Sequence, residues 1–190
     1  MKDYSDETMV MINSILQGAQ EADFITSYKL IKASNDLYYF EFDIDCPMGI
    51  VSSYIMCNNE GYQIKSRLFT DIFETETDTL KMLKVDKNNK AIMYELSKLI
   101  CWIAQETNVG RFGIIFKTGV VMHTFPVFCI NRPPSDDTIV QSIFEVKRIF
   151  SSVLIEAIID VIGGIRSAEE AYDKYHLEVF NIYENIKKAE

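Results

Sequence analysis

An α+β fold is predicted by the order in which two hydrophobic periods occur. Between Phe24 and Thr70 apolar and polar residues alternate in four successive runs. The connectors between these runs are too short for the crossovers that parallel neighbours need. Segments with a helical period lie outside the runs instead of between them, the arrangement of helices packed against an antiparallel sheet.

Asp3 or Ser5 can cap a first helix reaching about Ala19, with Asp6 and Glu7 at its positive end. Met9, Ile12, Ile15, Leu16 and Ala19 give it an apolar stripe. Strands are predicted over Phe24–Lys32, Leu37–Asp45, Ile50–Cys57 and Tyr62–Phe69. Turn residues fill the connectors Ser34-Asn35-Asp36, Pro47-Met48-Gly49 and Asn58-Asn59-Glu60-Gly61, so the four strands form a meander. The acidic, threonine-rich Asp71–Asp78 reads as a loop and Thr79–Val85 as a further strand.

Asp86 is the expected cap of a helix through Glu106, with Ile92, Leu96, Leu99, Ile100 and Ile103 on its buried side. Gly110–Lys117 and Val120–Ile130 make a hairpin about Thr118-Gly119, ended by Arg132-Pro133-Pro134. Ser135 or Asp136 caps a long helix to Ile162, stopped by Gly163-Gly164. Ser167-Ala168-Glu169-Glu170 is a capping box opening a last helix. Residues 1–190 read as a single domain, with no repeat or linker.

The chain carries 19 basic and 28 acidic residues, a net charge of −9. This balance excludes a nucleic-acid binder working through a broad basic surface and argues against recruitment to anionic membranes. Residues 1–80 hold five basic and fourteen acidic side chains and so account for the whole excess. Alternating apolar residues in that half imply a folded acidic face, not a tail. The start Met1-Lys2-Asp3-Tyr4-Ser5-Asp6-Glu7 is too acidic for a signal peptide. Glu156 and Asp160 interrupt the longest apolar stretch, so no membrane span is expected. Four cysteines in no close pair (Cys46, Cys57, Cys101, Cys129) imply reduced thiols, and a cytoplasmic location is expected.

Glu41, Asp43 and Asp45 share one face of their strand and form a candidate partner surface. Successive carboxylates about 6.5–7 Å apart are too far from one another to share a metal ion on a flat strand. A long cationic partner could follow them; the alternative is a solvent face screened by Lys65 and Arg67. His123 and Cys129 on one strand would stand about 20 Å apart, beyond hydrogen-bond reach, so His123 is expected in the core. His176 falls on an expected surface helix. No histidine or cysteine spacing matches a zinc site, and no metal, cofactor or catalytic constellation is expected. Gly110-Arg111-Phe112-Gly113 is similar to the loop of KH modules, but a strand follows it here, so the glycine is expected to serve a tight helix-to-strand turn.

On a continuous helix from Asp136 to Ile162, apolar residues spread over about 240°, more than the arc of about 100° that a sheet covers. Leu154, Ile155 and Ile158 therefore become the candidate dimer helix, unless the C-terminal helix supplies the cover.

From Trp102 and Asn108 the chain runs through Gly110-Arg111-Phe112, a strand, the Gly119 turn, a second strand and a Ser-Asp-Asp-capped, isoleucine-rich helix. It closes on Gly163-Gly164-Ile165-Arg166-Ser167-Ala168-Glu169-Glu170-Ala171. This order resembles the YbjN-like family, described as bacterial sensory-transduction regulators with a fold similar to type III secretion chaperones. The resemblance covers about residues 38–171 and is most specific from Gly110 onward. It implies a homodimeric, non-enzymatic regulator or adaptor that binds another protein. The alternatives are an enzyme using scattered carboxylates with Cys57 or His123, and a dedicated secretion chaperone.

Overall fold

The computed structural model describes residues 5–32, 38–58, 61–70, 81–106, 110–128 and 134–176. Helix α1 (Ser5–Glu21) leads into strands β1 (Ser27–Lys32), β2 (Tyr38–Cys46), β3 (Gly49–Asn58) and β4 (Gly61–Thr70), then the short β5 (Lys81–Met82). Helix α2 (Lys90–Glu106), strands β6 (Arg111–Ile115) and β7 (Val120–Phe128), and helices α3 (Asp136–Phe150) and α4 (Val153–Ile162) follow. Residues 168–176 are also helical and form α5. Ser34-Asn35-Asp36, Asn59-Glu60, Asp71–Asp78, Asn108, Cys129 and Arg132-Pro133 lie outside the described residues.

Every strand pairing is antiparallel, in the order β1-β2-β3-β4-β7-β6, so the class is α+β. The first six residues of β4 pair with β7, whereas Phe69 and Thr70 pair with β5. Residues 81–85 fill the gap where β4 and β7 diverge. The Leu83 N–H donates to Leu68 O (2.7 Å), and its carbonyl accepts from Val121 N–H (3.2 Å). The Val85 N–H donates to Gly119 O (2.9 Å).

Period-two alternation sorts the strands into two faces. Phe40, Phe42 and Ile44 of β2, Val51 and Ile55 of β3, and Ile64 and Leu68 of β4 are buried in one core with residues of all five helices. None of Tyr39, Ile50, Tyr54, Met56, Phe69 and Met122, which point the other way, belongs to that core. The described helices thus pack on a single face of the sheet. Tyr62 pins α3 to it: its hydroxyl donates to Ser142 Oγ (2.7 Å), whose own proton goes to Thr138 O (2.6 Å).

Three expectations need correction. Strand β1 starts at Ser27, not Phe24, because the end of α1 claims the intervening residues. Phe24 N–H donates back to Ala19 O (2.8 Å), Asp23 takes the left-handed conformation (φ 55°), and the Phe24 ring lies 4.2 Å from that of Phe144. Helix α2 is capped by Asn89, not Asp86. Asn89 Oδ1 accepts the Ile92 N–H (3.2 Å), while Asp86 closes a turn on Asn88 N–H (2.9 Å).

The third correction concerns the helix from Asp136 to Ile162, which is two helices. Ser151 and Ser152 break it. Ser152 is extended (φ −94°, ψ 160°), and its hydroxyl donates to Ile149 O (2.6 Å), offering the backbone a local alternative to the helix. Helix α3 lies on β2 and β4, and α4 turns off to pack on α2. The 240° arc presumed one straight axis. Leu154, Ile155 and Ile158 are 4%, 0% and 0% exposed within the single chain, so they face its own core and not a dimer interface. Helix α5 lies against α4, with Lys174 paired to Glu156 (3.5 Å) and Asp160 (3.7 Å), and its Ala168 and Ala171 are buried in the same core.

Candidate binding face

The helix-free face of the sheet carries rows of side chains set by strand register. Glu41, Tyr54 and Lys65 stand side by side on β2, β3 and β4, and the next row is Asp43, Ser52 and Arg67. Rows richer in apolar groups flank these two: Tyr39, Met56 and Gln63 on one side, Asp45, Ile50 and Phe69 on the other. Acid thus lines β2, base lines β4, and an apolar strip runs along β3 between them.

Tyr54 is the centre. Its ring lies edge-on to Tyr39 (centroids 6.1 Å), with Arg67 Cζ 5.6 Å and Lys65 Nζ 6.0 Å from its centroid. Both cations sit within the range at which the ring's negative face attracts them. Burial raises the Tyr54 phenol pKa, and the Arg67 charge works against it. Tyr39, Glu41, Tyr54, Met56 and Arg67 line a cavity of about 210 Å³. Arg67 Nε is buried there with no acceptor among the described residues.

The acidic residues have separate fates. Glu41 accepts an ion pair from Lys29 on β1 (2.7 Å), and that hydrogen bond and charge raise the Lys29 pKa. Asp43 Oδ2 accepts from Ser27 Oγ (2.9 Å), and Asp45 is exposed. Lys65 and Arg67, two strands away, form no ion pair with them. The screening partner of Glu41 is therefore Lys29. The alternation Tyr28-Lys29-Leu30 already placed it outward, but only register set it opposite Glu41.

His123 is buried between Phe112 (4.9 Å) and Phe150 (6.1 Å), as expected of a core residue. Gly110, at φ 69°, lies so close that a Cβ there would stand 2.5 Å from His123 Nε2. This contact, together with the left-handed turn, accounts for the glycine. His176 lies on a helix, half-buried, with its ring 4.2 Å from that of Tyr172. Cys101 is exposed and Cys46 half-buried. Burial raises the Cys46 thiol pKa, and a hydrogen bond from Ser151 works the other way.

Among the described residues no cluster of His, Cys, Asp or Glu could hold a metal ion, and no helix is long and apolar enough to cross a membrane. No protein-family model matches the chain, and neither does any curated protein or solved structure.

Proposed function

We propose that this protein is a non-enzymatic, chaperone-like binding or regulatory module of the bacterial cytoplasm, and that it engages protein through the helix-free face of its sheet. The observation that carries the reading is the arrangement around Tyr54: an amphipathic aromatic with acid on one side and base on the other. Tyrosine and arginine are enriched at protein interfaces, and segregated charge fixes the orientation of a partner. The resemblance to the YbjN-like family adds the expectation of a homodimer acting on another protein.

A photo-crosslinking amino acid placed in living cells at Ser52 or Gln63, on this face, tests the reading against one placed at Glu169 on the helical layer. Protein adducts from the face positions are expected. Adducts from Glu169 alone, or from none of the three, overturn it.

A further inference from the structure

We infer that the occupant of the helix-free face is a second copy of this chain, packed face to face about a two-fold axis that runs along β3; this rests on the face being a protein-docking surface. Stacked sheets align their strands within about 30° and lie about 10 Å apart. Two in-plane two-fold axes give aligned strands. An axis perpendicular to the strands lays β2 on the partner's β2, setting Glu41, Asp43 and Asp45 of both copies against one another. Like charges so juxtaposed cost several kcal/mol.

An axis along β3 does the opposite. It carries β2 across to lie over the partner's β4 and keeps each row at its own level. Because Glu41 shares a row with Lys65, and Asp43 with Arg67, each of these two acids then meets the base of its own row on the other copy, while Asp45 at the edge comes over Phe69. The same operation puts Ile50, Tyr54 and Met56 on the axis, where each meets its own copy and apolar area is removed from water. The face is self-complementary, as a closed two-fold interface requires.

Arg67 supplies the second observation. Its Nε is buried without an acceptor, and it pairs with no carboxylate among the described residues. Asp43 of its own chain stands two strand spacings away on the same face, its side chain leaving the sheet alongside that of Arg67 and not toward it, and no ion pair joins them. Across the interface an aspartate and an extended arginine together bridge two sheets about 10 Å apart. The second Asp43 thus offers a carboxylate to the guanidinium end of Arg67, while Nε stays enclosed within its own chain.

Light scattering behind size exclusion, on the purified full chain, tests the assignment. The unaltered protein is expected at twice 21.9 kDa at tens of micromolar, with a dissociation constant that rises with salt. Asp43→Arg alone and Arg67→Asp alone should each weaken the dimer about tenfold or more by setting like charges together. The double variant D43R/R67D restores opposite charges in that row and should recover most of the loss. Circular dichroism and thermal melts confirm that each variant is folded; if either single variant is not, Asp43→Asn or Arg67→Gln takes its place, with weaker dimerisation again expected.

A monomeric unaltered chain overturns the inference. So do single variants that dimerise as tightly as the parent, or a folded double variant that stays as weak as the singles. A monomer that still forms adducts with another protein from Ser52 or Gln63 leaves the docking face intact and rejects only the second copy as its occupant.

Discussion

Asp43 and Arg67 stand in one row of the sheet, each directly opposite Ser52 of the strand between them. Two strand spacings, about 10 Å, separate their backbones. On a face open to water, charges that far apart attract weakly, because the Debye length at physiological salt is about 8 Å. Segregating acid on β2 from base on β4 therefore adds little to the stability of one chain. Its effect falls on what docks there, through orientation and association rate.

The burial of α4 changes what a charge on it does. Ile158 is fully enclosed by the chain, so Ile158→Glu should unfold the protein and not release a folded monomer. An unpaired carboxylate in the core costs about 3 kcal/mol or more. Ile165→Ser, at a site 65% exposed, should stay within about 0.5 kcal/mol of the parent. Urea unfolding followed by circular dichroism separates the two. A folded, cooperative Ile158→Glu protein contradicts the core position of α4.

The meander, the hairpin and the α+β class were legible because alternation and turn residues are local signals, read over a few positions. The outward position of Glu41, Asp43 and Asp45 followed from the same alternation. What escaped depends on contacts between distant segments. The break at Ser151-Ser152 lies inside an apolar pattern that suits one helix or two, and the packing of α4 on α2 decides between them. The row that joins Asp43 to Arg67 depends on the register of two hairpins, which turn sequence alone restricts without fixing. Asn89 displaced Asp86 as the cap because both residues suit the role, and Asp86 was taken up by its own turn.

Tyr62 and Ser142 join the sheet to α3 by a buried hydrogen bond of 2.7 Å. Tyr62→Phe removes the hydroxyl and leaves the ring in place, so the loss should be about 1 kcal/mol. Ser142 keeps its own bond to Thr138 O (2.6 Å), which limits the damage. A double-mutant cycle with Ser142→Ala should give a coupling of about 0.5–1.5 kcal/mol. Strict additivity would show that the two hydroxyls do not interact.

Gly119 and Gly113 form a matched pair on one hairpin. At Gly119, with φ 76°, a Cβ would stand 2.0 Å from the Val85 carbonyl oxygen, which accepts no substituent without moving the 81–85 segment. Gly119→Ala should cost about 2 kcal/mol or more, combining left-handed strain with the backbone clash. At Gly113 a Cβ meets nothing within 4 Å, and Gly113→Ala should be neutral or slightly stabilising, since alanine loses less entropy than glycine. Comparable melting temperatures for the two variants would contradict the wedge of 81–85 between β4 and β7.

The capping box of α5 gives a pH-dependent test. Glu170 Oε2 accepts from the Ser167 N–H (2.8 Å) and hydroxyl (2.9 Å), and these bonds hold its carboxyl below the usual carboxylate range. A depressed folded pKa means that the unfolded chain binds the proton more readily. The contribution is therefore complete above the unfolded value, about 4.3, and fades as pH falls through the lower folded value. The bonds matter beyond the surface because α5 places Ala168 and Ala171 in the core over α4, and Ala168 N–H donates to Glu95 of α2 (2.8 Å). Ser167→Ala, which removes the cap itself, should cost about 1 kcal/mol near neutral pH. Glu170→Gln keeps an acceptor but cannot titrate, so the gap in melting temperature between it and the parent should be constant from pH 5 to 7 and narrow below about pH 4. A gap that stays flat down to the acid transition would show that the carboxylate is not held by Ser167 in solution.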